Sequence, residues 1–208
     1  MAFQKQLALI TTIDDSGQTQ DQLGSTVRNL SDQFNIPLLE TASGLYQTIS
    51  NQIGDASQSS EFLASTAEFA RATNSSLENS VDLLSGAIKS YGLDVSETDR
   101  VRSVFFKTID LGRVNANELA NSFGRVGPQA ALLGVSLEEV SASIAAISVR
   151  GSGTAGSLTQ VRAILTALAK PTADLTRVLR AQGFASAESA VKTLGFSGVL
   201  ALQRYVAL

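Results

Sequence analysis

Glu118, Glu138 and Glu139 are the residues of this chain whose type and spacing could do chemistry. Two carboxylates flanking a sugar bond carry out glycoside hydrolysis, one as acid and the other as base or nucleophile. The same glutamates have a simpler use. Glu138 and Glu139 follow Ser136, and Glu118 follows Asn115, so each falls in the first turn of an expected helix. An acid there offsets the helix dipole. That use accounts for all three, and no catalytic residue is assigned.

Gly151-Ser152-Gly153-Thr154-Ala155-Gly156 has the form G-x-G-x-x-G, with Asp174 near the place of a ribose-binding acid. A dinucleotide site requires a strand before those glycines. Here the preceding segment, 137–149, is capped and spaced like a helix, so the glycines read as a flexible turn between two helices. No cofactor is assigned. Arg100, Arg102, Lys107 and Arg113 are spread around and beyond one helix and read as a solvated face with acids nearby. Tyr91, Phe105, Phe106 and Phe123 lack the basic neighbours of a base-stacking platform and read as core. Phe106 alone is offset from the Val101, Phe105 and Ile109 stripe, which marks it as a candidate partner contact.

Composition removes much else. The chain has no cysteine and no histidine. Disulfides, thiolate chemistry, the Ser-His-Asp triad and the usual zinc ligands go with them, and no metal site is assigned. Net charge is −3 over 208 residues, with no basic stripe for nucleic acid, so no sequence-specific nucleic-acid binding is expected. Charged residues make up 17% of the chain, against about 25% in an average protein. Small side chains fill the difference, which suits helices that approach closely. Residues 1–6 lack the pattern of a secretion signal. The most apolar run, 137–149, is interrupted by Glu138, Glu139 and serines, and is shorter than the roughly 20 residues of a membrane span.

The elements that position these residues are announced by one punctuation used three times. Gly92-Leu93-Asp94-Val95-Ser96-Glu97, Gly134-Val135-Ser136-Leu137-Glu138-Glu139 and Gly183-Phe184-Ala185-Ser186-Ala187-Glu188 each read as a helix stop followed at once by a helix start. Glycine takes the left-handed closing position. A serine (Ser96, Ser136, Ser186) then caps the next helix. Ser136 with Glu139, and Asn115 with Glu118, fit reciprocal capping boxes. Apolar residues at helical spacing mark the faces between. Leu23, Val27, Leu30 and Phe34 form one such face; Leu38 to Ile53 form another behind Pro37, closed by Gly54. Leu77, Val81, Leu84 and Ile88 follow Ser76, and Leu158, Val161, Leu165 and Leu168 precede Pro171. Residues 2–13 fit a short helix or an extended arm, Asp14–Gly17 a turn, and Gly127-Pro128 a break. The expected class is all-α, an array of short helices packed as consecutive hairpins. The polar stretch Asp55–Ser60 marks off an N-terminal helical segment, 1–54, from a helical core module, 55–208, and leaves open whether the two fold separately or as one continuous domain. Residues 197–208 are apolar to the end, as if a helix were cut in mid-course, so the chain reads as a fragment of a longer protein.

Five blocks in order carry a family resemblance. They are 81–93 (VDLLSGAIKSYGL), 104–112 (VFFKTIDLG), 118–128 (ELANSFGRVGP), 131–140 (ALLGVSLEEV) and 162–172 (RAILTALAKPT), with Leu38 to Ser50 fitting the start. Together they resemble the phage tail tape measure proteins over roughly residues 20–185. The resemblance implies a structural virion protein of a phage or prophage, made in the host cytoplasm and housed in the tail lumen. It implies roles in tail assembly, tail length determination and genome delivery, through contacts with copies of itself and with tail-tube, tail-assembly chaperone and tail-tip proteins. It supplies no catalytic residues. The alternatives are a cell-wall lytic module acting through its glutamates, a membrane-active tail module, and a generic helical interaction scaffold.

Overall fold

The computed structural model describes residues 2–14, 17–54 and 56–203. Among them are twelve α-helices and no strand. The order is α1 (Ala2–Ile13), α2 (Gln20–Phe34), α3 (Leu38–Ser50), α4 (Ala56–Thr73), α5 (Leu77–Tyr91), a 3-10 turn (Val95–Glu97) and α6 (Thr98–Leu111). Then come α7 (Ala116–Phe123), α8 (Gly127–Leu132), α9 (Leu137–Ile147), a π-helical turn (Ser148–Ser152), α10 (Gly153–Ala169), α11 (Ala173–Ala181) and α12 (Ala187–Gln203). The all-α expectation holds. The chain divides into two compact units, residues 1–106 and 107–208.

In the first unit α3 is the centre, packing against α1, α2, α4 and α5. Its close approach to two of them, α4 and α5, follows from one small residue. A Cβ on Gly44 would lie 2.7 Å from Leu77 Cδ2 and 3.2 Å from Leu63 Cδ1, so α4 and α5 both close onto bare backbone there. Phe62, Leu63, Phe69, Leu77, Val81 and Leu84 fill the space around it. Polar groups then set the register of α3 against α5. Glu40 Oε1 accepts from the Leu77 N–H at 2.9 Å, Gln47 donates to Glu78 at 3.3 Å, and Asn51 donates to Ser85 Oγ at 2.9 Å. The first of these satisfies a free donor at a helix start.

In the second unit α9 and α10 pair across the π-helical turn, with α7 and α8 on α10 and α12 against α9, α10 and α11. Leu119, Phe123, Val140, Ile144, Val161 and Leu165 are its buried centre. A Cβ on Gly112 would lie 2.9 Å from Ser148 Oγ and 3.0 Å from Ala145 Cα, so the end of α6 approaches the end of α9 at backbone distance. The buried Ser148 hydroxyl accepts from the Arg113 N–H there at 3.0 Å.

The three punctuation glycines close their helices as expected, Gly92, Gly134 and Gly183 at φ of 60°, 74° and 85°. Ser76, Ser136 and Ser186 cap as expected, and Ser136 with Glu139 forms the full box. Gly127-Pro128 separates α7 from α8, with proline in the first turn of α8.

Several local readings change. Asp94, not Ser96, caps the segment before α6: its carboxylate accepts from the Ser96 N–H at 2.9 Å and the Ser96 hydroxyl at 2.6 Å. A carboxylate is the stronger acceptor, and the 3-10 turn brings Glu97 into the reciprocal position. The Asn115 box is half made. Asn115 Oδ1 accepts from the Glu118 N–H, but the Asn115 N–H is taken by Thr154 Oγ1 at 2.8 Å, which leaves the exposed Glu118 carboxylate outside the box. α3 stops at Ser50 rather than running to Ile53; Gln52 at φ 49° turns the chain, and Ile53 is buried beyond the helix. Within Asp55–Ser60, Asp55 lies outside the described residues and 56–60 begin α4. Asp15 and Ser16 of the expected turn, and residues 204–208, also lie outside them.

Candidate interaction surface

The chemical candidates end up as structural groups. Glu139 accepts the Ser136 N–H at 3.1 Å, the Ser136 hydroxyl at 3.0 Å and, from α12, the Phe196 N–H at 2.8 Å. Partial burial pushes its carboxyl up, and the bonds from Phe196 and Ser136 outweigh that, holding it below the usual carboxylate range. A general acid of a glycosidase needs the opposite shift. Glu138 is exposed on the same first turn. The glycine motif follows helix α9, not a strand; its residues form the π-helical turn and the start of α10, with Gly151 and Gly153 at φ of 103° and 60°. Among the described residues no group of three or more His, Cys, Asp or Glu is placed to hold a metal ion.

The two arginines on α6 meet acids, as read from the sequence. Arg100 pairs with Glu97 at 2.7 Å, while Arg102 bridges Glu68 of α4 and Asp99 of its own helix, the latter at 3.2 Å. Ser65 donates to Asp99 at 2.9 Å, so α4 is tied twice to the start of α6. Lys107 and Arg113 are exposed.

Several large apolar side chains also face water. Phe105 and Phe123 are buried, while Phe106 is 43% exposed, as its offset from the stripe predicts. Leu111 and Leu132 are far more exposed, at 72% and 82%. Neither was singled out from the sequence. Leu132 has a readable signal: Val126, Ala130 and Leu133 form the buried stripe of its segment, and Leu132 falls one position short of it. Leu111 has none, because it is in helical phase with buried Thr108. No helix among the described residues is long and apolar enough to cross a membrane.

Comparison with known proteins bears on what such a surface serves. A family model for phage-related minor tail proteins matches residues 24–204. A probable tape measure protein of Clostridium phage phiCD119 is 27% identical over 163 residues, covering 77% of this chain and 17% of that protein. The tape measure protein of Pneumococcus phage Dp-1 is 24% identical over 189 residues, 87% of this chain and 16% of that protein. The chain therefore spans about one sixth of these relatives. No solved structure gives a significant match. The family match takes in most of both helical units, and the chain belongs to the phage-related minor tail protein family, a family of structural phage-tail proteins.

Proposed function

We propose that this chain is a non-enzymatic structural module of a tail tape measure protein, acting in tail assembly, tail length determination and genome delivery from inside the tail tube. The observation that carries the reading is the match to tape measure proteins over 77% and 87% of the chain. The structure supports it by what its polar groups do: the candidate glutamate and arginines serve caps and ion pairs, while Phe106, Leu111 and Leu132 are offered to solvent. Its partners are then copies of itself and the tail-tube, tail-assembly chaperone and tail-tip proteins. It is made in the host cytoplasm and comes to rest in the tail lumen.

This module does not itself supply the measuring length. The longest helix among the described residues has 18 residues, about 27 Å at 1.5 Å per residue. A ruler needs much more chain, in keeping with relatives about six times longer than this segment. The decisive experiment is an in-frame deletion of residues 24–204 from the phage gene, followed by electron microscopy of the particles. Missing or misassembled tails support the proposal. Normal tails of unchanged length and full infectivity overturn it. A zymogram on cell walls and a liposome leakage assay, both with the intact chain, separate the lytic and membrane-active readings; clearing that disappears in Glu118→Gln, Glu138→Gln or Glu139→Gln would establish the lytic one.

A further inference from the structure

Glu139 does more than cap its own helix. It sits where the α9 N-terminus meets a break in α12. Gly195 has φ 72° and ψ 169°, a conformation essentially reserved for glycine, so the residues from 196 onward form a separate helical segment with its own N-terminus. The Phe196 N–H is a free donor of that first turn, and it donates to Glu139 Oε1 at 2.8 Å. The fit leaves no room for a side chain: a Cβ on Gly195 would lie 2.7 Å from the same oxygen. Glycine is thus required twice, for the backbone angle and for the carboxylate's approach.

Within 196–202, Phe196 and Val199 are buried and Gly198, Leu200 and Leu202 are half-buried. These apolar contacts and the charge-assisted bond from the Phe196 N–H to Glu139 dock the segment.

We propose that the Glu139 carboxylate is a latch that holds the 196–203 helix onto the start of α9, and that protonating it releases this helix while the rest of the second unit stays folded. The ionised carboxylate accepts three bonds, two from Ser136 and one from Phe196. The neutral acid accepts more weakly and brings a proton of its own among donors. Charged groups on the surrounding elements do not supply the effect. Glu138 precedes it on α9, Arg150 of the π-helical turn and Arg162 of α10 are exposed, and Lys192 of α12 pairs with Glu188 at 2.8 Å. Arg177 of α11 pairs with Asp174 at 2.9 Å, and α8 carries no charge. The forces acting on Glu139 are burial and hydrogen bonds. Because its carboxyl is held below the ordinary range, the latch is complete at neutral pH and is lost as pH falls through the folded-state value.

Hydrogen exchange of the intact chain, corrected for the intrinsic pH dependence of exchange, tests this between neutral pH and about pH 3.5. In the wild type the amides of 196–203 should lose protection in acid, with α9 and α10 still protected. Glu139→Gln keeps an acceptor oxygen but removes the titration, so its acid step should vanish. Gly195→Ala crowds the carboxylate and strains the turn, and should expose the same amides already at neutral pH. The proposal is overturned if 196–203 stays as protected as α10 in acid, if both lose protection together, or if Glu139→Gln retains the wild-type step. Should Glu139→Gln not fold, the wild-type acid series and Gly195→Ala decide the matter.

Discussion

Single residues carry effects here that their type does not announce. Gly44 and Gly86 both lie inside helices, yet they have opposite surroundings. At Gly44 a Cβ would meet Leu77 at 2.7 Å, whereas nothing lies within 4 Å of one at Gly86. Gly44→Leu should therefore destabilise the chain by about 1–3 kcal/mol or more through overpacking. Gly86→Ala should stabilise it by about 0.5–1 kcal/mol through helix propensity alone. Denaturant midpoints at constant m-value would show the two shifts with opposite sign. Ionisable residues follow the same logic. Asp94 is held below the usual range by the side-chain and backbone bonds from Ser96, and Glu188 by its bond to and the charge of Lys192. Both are stabilising when ionised, so their contribution is present at neutral pH and fades as acid protonates them. A thermal-melt series should show wild-type stability falling in acid, and Asp94→Asn should flatten part of that fall.

At the scale of elements, the helix ends are the most informative part of the structure. Ser136 and Glu139 bond reciprocally, so Ser136→Ala should cost about 1 kcal/mol, typical of a lost cap. Before α6 the cap has moved to Asp94. Asp94→Ala should accordingly be more harmful than Ser96→Ala, whereas a Ser96 cap would reverse the order; equilibrium unfolding of the two variants decides between them. The three glycine stops and the Ser136 and Ser186 caps were legible because these signals act within a few residues, through local φ and local donors. The Asn115 box was legible only in part. Its missing half depends on Thr154, 39 residues away, whose hydroxyl takes the donor that Glu118 would have used. Likewise the glycine-rich motif was read correctly as a link between helices, but its π-helical geometry comes from joining α9 to α10.

For the whole molecule, the surface matters more than any cleft. Phe106, Leu111 and Leu132 are exposed without being needed by the core, so their replacement separates folding from assembly. Leu111→Asp and Leu132→Asp should leave helicity and unfolding midpoint within about 0.5 kcal/mol of wild type, as surface changes usually do. In the phage they should lower the yield of complete tails. Normal tail yield from both variants would show that these side chains serve no partner. The glutamate chemistry considered from the sequence lacks support at this scale, since Glu139 is engaged by Ser136 and Phe196.

Helix class, helix stops and most buried stripes were determined by the sequence alone, because period, glycine conformation and side-chain caps are set by neighbours along the chain. So was the exposed setting of Phe106, one step off its stripe. Tertiary structure alone decided that leucine side chains meet bare backbone at Gly44, that backbones approach at Gly112, and that Glu139 reaches across to Phe196. It also decided that the chain groups as 1–106 and 107–208. These rest on residues far apart in sequence meeting at packing distance, and no local periodicity encodes which two faces will meet.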